Sequence, residues 1–220
     1  MASGKMHRVR VKICGLTSAL DAENAIAAGA DALGFNTWQG SKRYLNLQEA
    51  SDWIARLPGF VTRVALCVNA PLEAAMHLAG ESFIDVVQLH GDESQEYGAA
   101  LMRGGRSIIR AVRLETAAQV PELSSWGTRQ VLIDAAVLGA FGGTGARLDT
   151  ELAAYAVRSA PQLSISLAGG LDPENVAAAV RAVRPYAVDV ASGVESAPGR
   201  KDAIKMRDFV QAVLEASRTL

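Results

Sequence analysis

RVRVKICGLTSALDAENAIAAG, residues 8–29, reads as a strand, a turn and a helix in one stretch. Residues 8–14 alternate Val9, Val11 and Ile13 with Arg10, Lys12 and Cys14, which is the period of a pleated strand with two different faces. Thr17 or Ser18 then supplies a hydroxyl to the open amides of a helix over the alanine-rich run that follows, and Gly29 closes it. The same unit recurs along the chain. Further strands are expected at 32–36, 62–68, 85–90, 107–113, 130–135, 163–168 and 187–191. Helices open at Asn46, at Asn69–Pro71, at Asp92, at Thr116, at Asp149–Thr150, at Asp172–Pro173 and at Asp202. Pro121 lies inside the fifth helical pattern and predicts a break or a short helix there.

Alternating βα units imply parallel strands, and eight of them imply closure. The sequence therefore reads as α/β: one single-domain (βα)8 TIM barrel of eight parallel strands over residues 8–220, behind a disordered lead at 1–7. An open doubly wound sheet is the rival, but no G-x-G-x-x-G follows the first strand.

Composition narrows the function classes. The chain has 220 residues, half of them hydrophobic, with 22 basic and 23 acidic residues. That balance gives no basic excess for nucleic acid or a membrane surface, while a small anionic ligand needs only a few local cations. No apolar run approaches a spanning helix, and the N-terminus carries no signal core. Cys14 and Cys67 alone do not make a disulfide framework, so a cytoplasmic protein with reduced thiols is expected. Only His7, His77 and His90 are available as imidazole ligands, too scattered for a metal cluster, and no metal is expected.

In such a barrel, function sits at the C-terminal strand ends. Cys14 ends the first strand. If Val9, Val11 and Ile13 face the helices, Lys12 and Cys14 turn inward, and the cysteine is either a packed residue or a reactive one at the mouth. Cys67 shares its face with Ala65 and reads as packing. Asp134 ends the sixth strand after three apolar residues, where a carboxylate is costly unless it is paired, caps a turn or opens to a mouth. Gln88 and His90 lie on the inward face of the fourth strand as pocket lining or as a structural pair. Lys12 needs an inward partner, and closure of strand 8 on strand 1 nominates Asp189.

Two turns, LAGGLDPEN at 167–175 and VASGVES at 190–196, follow the last two strands. Gly169, Gly170, Ser192 and Gly193 there suit phosphate binding through backbone amides, against the simpler reading of ordinary βα turns. The glycine-containing segment 135–149 is long for a βα connection and reads as a lid or binding loop; it lacks the G-K-[ST] of a nucleotide loop. The loop at 37–46 carries Lys42 and Arg43 beside the mouth, as a solvated basic loop or as carboxylate recognition.

KICG, GF, SKRYL, QLHG, LIDA with GGTG, LAGGL and DVASGVE with GRKD, in this order along nearly the whole chain, resemble the phosphoribosylanthranilate isomerase family of tryptophan biosynthesis. That resemblance implies an Amadori rearrangement of N-(5-phosphoribosyl)anthranilate, a small sugar phosphate, with neither cofactor nor metal, in a monomer or homodimer. It implies Asp134 as general acid, Cys14 as general base, Arg43 on the anthranilate carboxylate and the last two turns on phosphate; Gln88 and His90 are expected at the substrate from their inward parity alone. One departure stands in GFNTWQGSKR, where Lys42 replaces the proline usual before the arginine. The rival isomerase of histidine biosynthesis resembles a pair of strand-end aspartates instead, which Cys14 opposes. A silent sugar-phosphate-binding barrel would have no need of Cys14 or Asp134.

Overall fold

The computed structural model describes residues 8–134 and 149–220. The expected lead at 1–7 and nearly all of the expected lid lie outside the described residues.

Eight parallel strands close into a barrel in sequence order. They are β1 (Arg10–Cys14), β2 (Ala32–Asn36), β3 (Thr62–Cys67), β4 (Val86–Leu89), β5 (Ser107–Arg113), β6 (Gln130–Asp134), β7 (Ser164–Ala168) and β8 (Ala187–Val190). Between and after them run α1 (Ala19–Ala28), α2 (Leu47–Ala55), α3 (Leu72–Gly80), α4 (Gln95–Arg103), α5 (Thr150–Ser159), α6 (Val176–Val183) and α7 (Ala203–Ser217). The fifth connection is a 3₁₀ stretch, Ala117–Trp126, with Pro121 inside it, because a proline lacks the amide an α-helix needs. Thr116 and Gln119 cap its start reciprocally.

Helix starts follow the caps in the sequence. Ser18, Asn46, Asp149 and Asp202 each accept from a first-turn amide. The fourth start differs from expectation: Ser94 caps α4, while the Asp92 amide donates to Asn69 Oδ1 at 2.7 Å. Asp92 stands two residues ahead of that cap in a loop-to-loop contact, its carboxylate accepting from Asn69 Nδ2 at 3.4 Å.

Strand register carries the alternation around the barrel. Lys12 pairs with Ala32 on one side and Asp189 on the other, and Cys14 with Gly34. Val11, Ile13, Leu33, Phe35, Ala65, Leu167 and Val188 form the outward set. They share the main buried cluster with Ala22, Ala25, Ile54, Phe209 and Val213 of the helices. The inward set is small or polar at β1, β2 and β8, which leaves room for side chains to be supplied to the mouth. Beyond β8 the chain makes a short hairpin, β9 (Glu195–Ala197) with β10 (Arg200–Lys201), that the sequence reading did not foresee. Among the described residues, no helix is long and apolar enough to cross a membrane.

Candidate active site

Cys14, Arg43, His90, Asp134, Asp189, Gly169, Gly170 and Ser192 line one cavity at the C-terminal mouth. Residues far apart in sequence meet there because every strand delivers its last inward side chain to the same end.

Cys14 is 6 % exposed, with its sulfur on the inner face. A Cβ at Gly34 would stand 2.7 Å from Cys14 Sγ and 3.1 Å from Lys12 Nζ, so the glycine of β2 makes the space the thiol occupies. Burial pushes the Cys14 thiol up, and the Lys12 ammonium offsets only part of that. Lys12 Nζ lies 2.8 Å from Asp189 Oδ1, with both side chains buried. Burial alone would lower the lysine pKa; the Asp189 carboxylate and Cys14 together outweigh it, and Lys12 stays charged beneath the cysteine. Cys67 points the other way, packed with Ala75, Ala79, Val87 and Leu101. Its thiol is pushed up to about 12 by burial and then by Glu93.

Asp134 Oδ2 lies 3.1 Å from His90 Nε2, and His90 Nδ1 lies 2.8 Å from Gln88 Nε2. The Gln88 amide nitrogen can only donate, so Nδ1 accepts from it, and the ring carries its proton on Nε2 and donates it to Asp134. Asp134 Oδ1 is buried with no partner among the described residues. Gln88, expected to line the site, is fully buried and touches it only through His90, because it lies two residues below His90.

The two glycine turns converge. Gly169 and Gly170 adopt φ of 89° and 66°, which favour glycine, and Asn175 Nδ2 donates to the Gly170 carbonyl at 2.8 Å. Gly193 stands behind them: a Cβ there would overlap the Leu171 carbonyl, so its smallness lets the β7 and β8 turns touch. It is not among the residues that line the cavity.

Arg43 reaches the mouth with its stem laid over Gly15, where a Cβ would overlap the arginine Cδ. Its loop is held by Ser41 Oγ, which accepts from the Arg43 amide at 3.0 Å and from Asn36 Nδ2 at 3.1 Å. Sequence reasoning missed its partner: Arg43 Nε and Nη2 donate to the two oxygens of Glu195, at 2.6 and 2.8 Å. Lys201 Nζ lies 3.0 Å from the same carboxylate. The available signal was three charges, Glu195, Arg200 and Lys201, in the segment GVESAPGRK, which stands next to a phosphate-type turn. A small apolar patch of Leu66 and Val68 packs with Cys14, Trp38 and Ala191 beside the thiol. Among the described residues no group of three or more His, Cys, Asp or Glu is placed to hold a metal ion.

Comparison with known proteins meets this geometry from another side. The model of the N-(5′-phosphoribosyl)anthranilate isomerase family matches residues 11–212. A relative of that name from Magnetococcus marinus is 47% identical over 208 residues, 94% of this chain and 96% of its own. The solved phosphoribosyl anthranilate isomerase of Thermus thermophilus superposes with a TM-score of 0.84 at 37% identity, covering 94% of this chain and 99% of that one. Another is a phosphoribosyl anthranilate isomerase in complex with reduced 1-(o-carboxyphenylamino)-1-deoxyribulose 5-phosphate. It superposes at 0.80 with 34% identity, covering 93% and 98%. With a closed eight-stranded barrel, a family match over residues 11–212 and relatives this similar over nearly their full length, the chain belongs to the phosphoribosylanthranilate isomerase family.

Proposed function

We propose that this chain converts N-(5′-phosphoribosyl)anthranilate to 1-(2-carboxyphenylamino)-1-deoxyribulose 5-phosphate, the third step of tryptophan synthesis from chorismate. The reaction is an Amadori rearrangement by general acid–base catalysis. The observation that carries the reading is one cavity lined by Cys14 of β1 and Asp134 of β6, with the Gly169–Gly170 and Ser192 turns of the intervening β7 and β8, and by Arg43.

In this reading the phosphate takes the backbone amides of those turns, where glycine lets the chain approach an oxyanion. The anthranilate carboxylate takes Arg43, and the ring rests on Leu66, Val68 and Trp38. Asp134 donates a proton to the furanose ring oxygen as the C1′–O bond breaks, and the amine lone pair closes a C1′=N iminium. The proton leaves from Oδ1, the oxygen without a partner among the described residues, while His90 holds Oδ2. Cys14, as thiolate, then removes the C2′ proton; the electron pair forms C1′=C2′ and neutralises the iminium. The enolamine gains a proton at C1′ and loses one from the C2′ hydroxyl, giving the ketone.

The buried thiol resists ionisation, so the base must be generated where cations gather: Lys12 below it and the substrate iminium above. Purified chain mixed with fresh phosphoribosylanthranilate is expected to abolish the anthranilate fluorescence, yielding a product of unchanged mass. No turnover would refute the assignment.

A further inference from the structure

Behind Arg43 lies a charged cluster that the proposed chemistry does not use. Arg43 spends Nε and one edge of Nη2 on Glu195, in two short parallel bonds. A guanidinium has a second fork, between Nη1 and Nη2, and among the described residues the side-chain hydrogen bonds of Arg43 to Glu195 run from Nε and Nη2 and not from Nη1. The Glu195 side chain is 5 % exposed and that of Lys201 is fully buried, so this is a fixed pair and not a mobile rim contact.

The hairpin carrying Glu195 is itself fastened on several sides. Lys201 Nζ bonds Glu195 Oε1 and, at 2.9 Å, the Ala191 carbonyl beside the phosphate-type turn. Lys205 Nζ donates to the Glu195 carbonyl at 2.8 Å, and Thr17 Oγ1 to the Gly199 carbonyl at 2.7 Å. A Cβ on Gly199, whose φ is 80°, would come within 2.7 Å of the Lys42 carbonyl, so the hairpin seats directly against the arginine loop. Burial raises the Glu195 carboxyl; Arg43 and Lys201 outweigh it and hold the group ionised.

We infer that Glu195, braced by Lys201, is a positioning residue: it fixes the guanidinium of Arg43 side-on so that its end-on fork faces the substrate carboxylate. One guanidinium then bridges two carboxylates, a structural one behind and the substrate's in front. This rests on the reading of Arg43 as the carboxylate contact. Glu195→Gln leaves a single acceptor oxygen, and its amide nitrogen opposes an arginine donor, so the fork is free to turn.

The experiment compares wild type, Arg43→Ala and Glu195→Gln on two substrates: phosphoribosylanthranilate, and N-(5′-phosphoribosyl)aniline, which lacks the carboxylate. Glu195→Gln is expected to raise KM for the carboxylated substrate about tenfold with kcat within about twofold, and to leave KM for the aniline compound unchanged. If Lys201, left beside a neutral amide, destabilises the chain, Glu195→Gln with Lys201→Met removes the stranded charge and is read the same way. A KM raised by Arg43→Ala but not by Glu195→Gln overturns the positioning role and leaves the Arg43 reading standing. An equal rise on both substrates also overturns it, showing general damage. No rise with Arg43→Ala overturns both.

Discussion

Replacing Lys12 with methionine removes the ammonium under the candidate base and leaves Asp189 buried without its partner. The two groups are 2.8 Å apart and each side chain is 8 % exposed, so water can replace little of what is lost. Breaking a pair of this kind costs about 3–5 kcal/mol, much of it the penalty of an isolated buried carboxylate. For a chain of this size that corresponds to a fall of about 6–20 °C in melting midpoint. Adding Asp189→Leu removes the stranded charge and is expected to restore at least about half of the loss, since well-packed apolar replacements of buried pairs are commonly near neutral. Urea unfolding of the two single variants and the double variant measures this directly as a coupling energy. The same substitution takes away the one nearby cation that most lowers the Cys14 thiol, so kcat/KM at neutral pH falls as well. A Lys12→Met variant that loses less than about 1 kcal/mol would refute the claim that this pair closes the barrel beneath the site.

Gly34→Ala places a Cβ against both the sulfur and the Cα of Cys14, a clash that no side-chain rotation relieves. It is expected to cost about 1–3 kcal/mol in a thermal melt and to lower kcat far more than it changes KM. Because burial raises the Cys14 thiol and only the thiolate is nucleophilic, alkylation of Cys14 by iodoacetamide is expected to keep accelerating with pH past the ordinary thiol value of about 8.5. An alkylation rate already level below about pH 8 would contradict a raised thiol. Cys67→Ala, on the helix-facing side, is expected to keep kcat/KM within about twofold and to cost about 1 kcal/mol of stability; a large loss of turnover would place the wrong cysteine at the centre.

Much of the barrel is readable in the chain because it is built from local rules. Period-two alternation gives each strand its two faces, and Ser18, Asn46, Asp149 and Asp202 announce their helices through hydrogen bonds within a few residues. Parity counted back from a strand end likewise brings Cys14 and Asp134 to one cavity. What stayed hidden depends on contacts across the fold. Ser94 and not Asp92 caps α4, because Asp92 stands two residues ahead of the cap and its carboxylate accepts from Asn69 of the preceding loop. Gln88 shares the parity of His90 but lies too deep to meet the cavity. The Arg43–Glu195 pair joins residues 152 apart, and nothing within SKRYL or GVESAPGRK alone tells which charges will meet. A hairpin as short as β9–β10 has too few residues to show any period at all.

The central claim is that Cys14 and Asp134 move the protons. Single-turnover loss of anthranilate fluorescence, run on wild type, Cys14→Ala and Asp134→Asn with circular dichroism to check folding, tests it most directly. Both variants are expected to stay folded and to slow by at least about a hundredfold. Near-normal rates in Cys14→Ala would return the cysteine to packing, and near-normal rates in Asp134→Asn would require another acid.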